Sequence, residues 1–231
     1  MDNPEVERIR KVYQEYREAR RQVLWRQENP GNAAIYRERQ KAAYEMLGQA
    51  GFLPLQGKKI LEVGCGSGKV LADLLEWGAN PSDLYGVDLL VDRIEEARVS
   101  YPQMHFECVN AENLPYPDEM FDLVLFFTVF SSILDAQMRQ NVAREAIRVL
   151  KRGGAILWYD FRYNNPTNPH VRGVKREDIE GLFPGFILTL RTVTLLPPLA
   201  RRFGKATPFL YPVLRKISFL RTHNIGLLVK K

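Results

Sequence analysis

Ile60-Leu61-Glu62-Val63-Gly64-Cys65-Gly66-Ser67-Gly68-Lys69-Val70-Leu71 is an apolar run that ends in alternating glycines and resumes as an amphipathic stretch. That is the pattern of a buried strand turning sharply into a helix. Glycines there let the backbone come close to a bound molecule, and the first turn of the helix offers unpaired N–H groups, so a nucleotide-like ligand belongs at this turn. Counted from Gly64, the dinucleotide fingerprint would put its third glycine where Lys69 stands, which weakens a nicotinamide-dinucleotide reading.

The same unit repeats downstream. Short apolar runs at 59–63, 84–87, 105–109, 123–127 and 155–159 read as strands, and the amphipathic stretches 70–77, 91–99 and 137–150 read as helices between them. Parallel neighbours need connections of about a dozen residues, so the alternation predicts a Rossmann-like, doubly wound α/β fold with right-handed crossovers. Runs at 186–195 and 225–229, around a Pro-punctuated basic segment, would complete a mostly parallel seven-stranded sheet. Upstream, Val6, Ile9, Val12 or Tyr13, and Tyr16 recur at helical spacing; Asn29-Pro30-Gly31-Asn32 breaks the pattern and 33–49 resumes it. Residues 1–50 are expected to form a helical cap or lid and 51–231 the main domain, with 162–231 supplying an acceptor-site insert and the basic completion of the sheet.

With 231 residues, 45% apolar and 26% charged, the chain has the balance of one globular core and not of a disordered or repeat protein. Two cysteines, Cys65 and Cys108, exclude a disulfide framework and fit a reducing compartment. The start shows no apolar leader stretch, and the most apolar segment, 121–134, falls short of the roughly 20 residues that span a bilayer. A cytoplasmic protein is expected, with room for peripheral contact at the inner membrane face. The net charge of +6 divides into +2 for residues 1–50, −6 for 51–161 and +10 for 162–231, with no acidic residue after Glu180. A one-signed block of this kind faces phosphate, nucleic acid or anionic lipid, or is a solvated basic surface.

The second strand ends in Tyr85-Gly86-Val87-Asp88, placing a carboxylate about 20 residues past the glycines at the same sheet edge, where its oxygens can accept from a ribose diol. The third runs into Asn110-Ala111-Glu112-Asn113-Leu114-Pro115, a polar turn suited to an adenine edge. Together with Phe121-Asp122-Leu123-Val124 and Leu150-Lys151-Arg152-Gly153-Gly154, these stretches resemble the ordered motifs of the class I S-adenosylmethionine-dependent methyltransferases. The likeness is to the small-molecule type of ubiquinone, natural-product and surface-glycan pathways, and it spans residues 58–161, some 45% of the chain. The resemblance implies S-adenosyl-L-methionine as cofactor, with S-adenosyl-L-homocysteine as its product. It also implies that Glu62, Gly64, Cys65, Gly66 and Gly68 cradle the methionine amino and carboxylate ends, that Asp88 binds the ribose hydroxyls and that Leu89 packs on the adenine. Ala111 and Glu112 would flank the adenine edge, and Phe127 would lie near the sulfonium. Asn110 stands where the family usually has Asp; its amide oxygen can still accept from the adenine amino group.

Methyl transfer from a sulfonium asks a protein mainly to align donor and nucleophile and to exclude water, although an alcohol nucleophile gains from a base. Many relatives carry histidine just after the fourth strand; here Thr128-Val129-Phe130-Ser131-Ser132-Ile133 offers none. The polar segment 160–172 follows the fifth strand at the edge where open α/β sheets bind ligands, so the acceptor pocket is expected there. Asp160 and His170 are its candidate bases, and Arg162, Tyr163 and Arg172 its substrate contacts. Tyr13, Tyr16, Arg20, Trp25 and Tyr36 are candidates from the N-terminal helices, with Tyr16 and Trp25 foremost, and no set of metal ligands stands out. The expected acceptor is a hydroxyl of a small molecule, a sugar, or a glycolipid or secondary-metabolite precursor. The alternatives are C-methylation of a lipid quinone, RNA binding or RNA methylation through the basic last third, and a cofactor-binding scaffold that has lost its base. Nucleic-acid base N-methylation is disfavoured, because Phe126-Phe127-Thr128-Val129 occupies the place of the Asp/Asn-Pro-Pro-Tyr/Phe motif. The segment from Leu195 to Arg221, mixing apolar anchors with Arg201, Arg202, Lys205, Arg215 and Lys216, is the candidate contact with an anionic membrane.

Overall fold

Five parallel strands, β1 (Ile60–Val63), β2 (Leu84–Asp88), β3 (His105–Cys108), β4 (Phe121–Phe127) and β5 (Leu150–Phe161), are joined by β6 (Ile187–Leu195) and β7 (Arg221–Val229) in the order β3-β2-β1-β4-β5-β7-β6. β7 runs antiparallel to both of its neighbours. The computed structural model describes residues 3–19, 24 and 26–231, so that Arg20 and Trp25 lie outside the described residues. Two helices, α1 (Pro4–Glu18) and α2 (Pro30–Gln49), precede the sheet, and α3 (Lys69–Asp73), α4 (Val91–Ser100) and α5 (Ala136–Val149) connect parallel strands. The last third holds α6 (Arg176–Leu182), α7 (Pro197–Ala200) and α8 (Thr207–Leu214).

Because successive strand residues point to opposite faces, each central strand feeds two cores. Leu61, Val63, Val87, Val124, Phe126, Ile156 and Trp158 pack against Met138, Val142, Ala143 and Ala146 of α5 and Ile179 of α6. Ile60, Leu84, Phe106, Leu123, Leu125 and Leu157 meet Ala43 and Leu47 of α2, Leu71 of α3 and Ile94 and Ala97 of α4. Phe130 stacks on Trp158 with ring centroids 4.4 Å apart. Such a pair adds about 0.5–1.5 kcal/mol beyond area burial. All four residues of β1 are buried, which anchors the glycine turn that follows.

Several boundaries differ from the sequence pattern for local reasons. Asn29 is a helix cap and not a break: its side chain accepts from Gly31 N and Asn32 N, and Pro30 occupies the first turn of α2. The expected helix at 70–77 is one α turn followed by a 3₁₀ turn, Leu74–Trp77, closed by left-handed Gly78. β5 begins at Leu150, so the Leu-Lys-Arg-Gly-Gly run lies within the strand, with a register irregularity opposite Phe121 and Leu123. β7 likewise starts earlier than the sequence pattern, at Arg221.

The two N-terminal helices do different things. α2 is a layer helix on the sheet, whereas α1 crosses the C-terminal ends of the strands. Asn3 donates to Glu112 after β3, Arg8 to Ser132 O after β4 and Tyr16 to Asn168 after β5, and Arg17 pairs with Asp92 after β2. The Glu5 carboxylate accepts from Leu134 N and Asp135 N at the start of α5. Burial raises the pKa of Glu5, but Arg8 and these backbone N–H groups together hold its carboxyl below the ordinary value. Among the described residues, no helix is long and apolar enough to cross a membrane.

Candidate active site

A cleft of about 250 Å³ opens at the ends of β1, β2 and β4, where the chain switches from building the sheet in one direction to building it in the other. Open α/β sheets bind ligands at this switch point. Gly64, Gly66, Asp88, Leu89, Ala111 and Phe127 line the cleft, and Ile9 and Tyr13 of α1 close over it. These sequence candidates are brought together.

Gly64 and Gly66 take φ values of 72° and 53°, a region costly for other residues. A Cβ on Gly64 would come within 2.7 Å of Val129 Cγ2, whereas nothing lies within 4 Å of one on Gly66. Gly64 N and Cys65 N both donate to Val87 O, at 2.8 and 3.0 Å, and Gly66 N donates to Asp88 Oδ2 at 2.9 Å. Asp88 Oδ1 accepts from Leu90 N at 3.0 Å. The turn and the end of β2 are thus tied together, and each carboxylate oxygen keeps capacity for a further donor. Burial raises the Asp88 pKa above its ordinary value, against the pull of these N–H groups.

Glu62, Cys65 and Gly68 do not line the cleft. The Cys65 thiol packs in the α2–α4 core, donates to Gly66 O at 3.6 Å and is pushed far up by burial, so it stays protonated. A Cβ on Gly68 would meet the Phe106 ring at 2.8 Å, which sets this residue against the core. Asn110 Oδ1 accepts from Glu112 N, and Glu112 accepts in turn from the side chains of Asn110, Asn3 and Asn141. The amide oxygen expected to read adenine therefore already serves a backbone N–H, and Glu112 ties its turn to α1 and α5.

Glu62 is 1% exposed, and its Oε2 has no hydrogen-bond partner. Burial holds its carboxyl well above the usual range, although the nearby Arg39 charge works the other way. Arg39 has a buried, unpartnered Nε and lies 5.1 Å from the centroid of the Phe127 ring and 5.4 Å from that of Tyr159. An ammonium group suits the free oxygen of Glu62, a carboxylate suits Arg39, a diol suits Asp88, and a flat base suits the slot of Leu89, Val109 and Ala111. The residues present fit S-adenosylmethionine.

The acceptor candidates are dispersed. Asp160 is 1% exposed; it accepts from Ser131 N at 3.0 Å and Phe161 N at 2.9 Å, and burial pushes its pKa up to about 6. His170 is half-buried in the following loop, and its backbone N–H donates to Asn168 Oδ1, the oxygen that also accepts from Tyr16. Arg162 lies over the Tyr163 ring at 4.5 Å and donates to Ser218 O and Arg221 O. Arg172 is exposed, with its N–H on Ser131 O at 2.8 Å. Tyr16, Asn168 and His170 form one group; Asp160 sits sealed beneath Ser131, and neither candidate base lines the cleft. His223 is buried against Tyr159, with ring centroids 4.8 Å apart, and burial lowers its pKa to about 3, so it is a neutral packing residue.

Several cleft residues carry little sequence signal. Thr128 takes φ 59°, a strained value for a β-branched residue, and is held there by its N–H on Tyr159 O at 2.7 Å. Its only mark in the sequence is that it stands near the place of the relatives' histidine. Met138 and Val142 lie on the apolar stripe of an amphipathic helix, which reads equally well as core; Arg39, outside the cleft lining beside Phe127, is one of three cations on α2.

Residues 60–154 match the family described as a methyltransferase domain. A phthiotriol/phenolphthiotriol dimycocerosates methyltransferase of Mycobacterium ulcerans is 38% identical over 113 residues, 48% of this chain and 40% of the relative. The 27-O-demethylrifamycin SV methyltransferase of Amycolatopsis mediterranei is 35% identical over 119 residues, 48% of this chain and 42% of that one. The tRNA N(3)-cytidine methyltransferase METTL2 of Gallus gallus is 34% identical over 116 residues, 46% of this chain and 31% of the relative. The matches thus span well under half of these curated relatives. Among solved structures, an S-adenosylmethionine-dependent methyltransferase from Mesorhizobium loti superposes with a TM-score of 0.62 at 16% identity, covering 82% of this chain and 96% of that one. The cyclase SpnF gives a TM-score of 0.58 at 20% identity, covering 83% of this chain and 82% of its own, so the shared fold alone does not name the reaction.

Proposed function

We propose that the chain, whose residues 60–154 match a methyltransferase-domain family, is a class I S-adenosylmethionine-dependent enzyme that transfers a methyl group to a hydroxyl of an apolar small molecule or lipid-linked precursor. The observation that carries this reading is the cleft itself. Asp88 and the glycine turn stand on one side, while Ile9, Val129, Ile133, Met138 and Val142 make the walls apolar, and α1 lies across the mouth. The relatives named for phthiotriol dimycocerosates and for 27-O-demethylrifamycin support a small-molecule acceptor, the second of them an oxygen.

When bound, the cofactor supplies a methyl group on a positively charged sulfur, open to in-line attack by an oxygen. The protein's share is orientation and exclusion of water. Asp88 and the Gly66 turn would hold the diol end in the cleft, and Arg39, which lies over the Phe127 ring outside the cleft lining, would hold the carboxylate end. Tyr13, whose hydroxyl lies 3.2 Å from Ser132 Oγ, has its pKa raised by burial, so it stays protonated and can donate to an acceptor oxygen. His170, the more exposed of the two candidate bases, stands outside the cleft lining, so in this reading the acceptor proton reaches it through water, and Asp160 positions Ser131. A second reading, an RNA acceptor, draws on the +10 last third and on the Gallus gallus relative.

The test is incubation with methyl-labelled S-adenosylmethionine and two acceptor pools, a solvent extract of lipids and small molecules and total tRNA. Label is expected in the extract, on a product heavier by one methyl. Label in tRNA alone establishes the second reading, and binding of S-adenosylhomocysteine without transfer to either pool leaves only a cofactor-binding scaffold.

A further inference from the structure

α8 presents an outward face that its packing does not use. Thr207 and Tyr211 turn inward, at 2% and 4% exposure, and the Tyr211 hydroxyl donates to Glu38 at 2.6 Å. The opposite side shows Phe209, Leu210 and Val213, exposed by 78%, 41% and 61%, and the face continues through Ile217 and Phe219 at 37% and 72%. A helix facing water ordinarily shows the reverse, with its polar residues outside. The charged residues that flank this face in the chain are all cations: Arg202, Lys205, Arg215 and Lys216 are exposed, no acid follows Glu180, and the nearby carboxylates are Glu38 and Glu45 of α2, which share a pocket with Arg215 and Lys216. Only Arg215 among the four has a carboxylate partner in the described residues, Glu38 at 3.4 Å.

We propose that this face docks on an anionic lipid surface, with Phe209, Val213 and Phe219 entering the interfacial layer and Arg202, Lys205 and Lys216 meeting the headgroups. Apolar anchors ringed by cations are the composition that partitions into such an interface. Charge argues against a second copy of the chain as the occupant, because a two-fold contact through this patch would bring the same cationic rim against itself. Arg162, the first residue after β5, donates to Ser218 O and Arg221 O, which ties the segment that follows α8 to the end of β5. The docking itself stands on the surface alone and does not depend on the proposed reaction.

The experiment is flotation of the full chain with vesicles of phosphatidylcholine and with vesicles of equal parts phosphatidylcholine and phosphatidylglycerol. The chain is expected to float with the anionic vesicles and not with the neutral ones. Lys205→Ala and Lys216→Ala should each weaken binding about fivefold, as for one cation near an anionic surface. Phe209→Ser combined with Phe219→Ser should abolish flotation while leaving the melting temperature and S-adenosylhomocysteine binding unchanged, since both rings are solvent-exposed. Failure to float with anionic vesicles, flotation untouched by the paired Phe changes, or a dimer in sedimentation equilibrium that Phe219→Ser dissolves would each overturn the assignment. Cofactor binding in the same samples keeps this outcome separate from the fate of the methyl-transfer reading.

Discussion

Replacing Asp88 by Ala removes, among the described residues, the one carboxylate that both ties the glycine turn to β2 and faces the cleft. Its oxygens already accept from Gly66 N and Leu90 N, which leaves each with room for one ribose hydroxyl. A hydrogen bond to a charged group contributes about 1.5–3 kcal/mol. Losing two such bonds, with water partly compensating in the emptied site, costs about 3 kcal/mol of binding, or roughly 150-fold in Kd. Asp88→Asn keeps one acceptor oxygen and should weaken binding about tenfold. Isothermal calorimetry with S-adenosylhomocysteine measures both. Because burial raises the Asp88 pKa and a diol prefers the ionised form, wild-type affinity should fall on acidification, beginning above the ordinary aspartate range, and Asp88→Asn should lose that dependence. A change of less than about threefold for Asp88→Ala, at an unaltered melting temperature, refutes the assignment of this carboxylate to the diol.

Arg39→Met should weaken S-adenosylhomocysteine about tenfold or more but leave adenosine binding unchanged, a comparison that isolates the amino-acid end. Glu5→Ala removes the acceptor for Leu134 N and Asp135 N and unpairs Arg8; stopped-flow measurement should show cofactor release at least several-fold faster, and chemical denaturation a loss of about 2 kcal/mol. Burial pushes Asp160 up to about 6 from an ordinary 3.8, so its protonated form favours the native state and its stabilisation is lost as pH rises from 3.8 to about 6. Urea unfolding across that window should show the wild type losing about 3 kcal/mol relative to Asp160→Ala. His223 has the opposite sign: with its pKa lowered to about 3, its stabilisation is complete above 6.5 and is lost as pH falls, so His223→Phe should flatten acid destabilisation between these values.

The parallel strands and the cofactor turn were legible because their signals are local. A four-residue apolar run, a glycine cluster and a strand-end acid each sit within one short window, and topology brings Gly66 and Asp88 together without further information. Asp160 shows where such reading ends. It follows a strand and opens a polar loop, which reads as an accessible acid, yet Ser131, 29 residues away in the chain, covers it with a backbone N–H. Arg39 and Glu62 are 23 positions apart on different elements, and no periodicity links them. The division of labour between α1 and α2 was equally hidden: both carry amphipathic stripes, and only the partners at Asp92, Glu112, Ser132 and Asn168 show that α1 crosses the strand ends while α2 joins a layer. The outward face of α8 was visible as composition, but which of its apolar residues turn inward followed from Tyr211 reaching Glu38.

The tethers of α1 have a further consequence for how the molecule is made. Asn3, Glu5, Arg8 and Tyr16 leave the ribosome well before the partners they bind beyond α1, with separations of 109, 129, 124 and 152 residues. During synthesis, at about 5–20 residues per second, this helix must wait with Val6, Ile9 and Val12 uncovered until Asn168 has emerged. The nascent sheet can assemble around an open cofactor groove in that interval, and the segment translated early is among the last to dock.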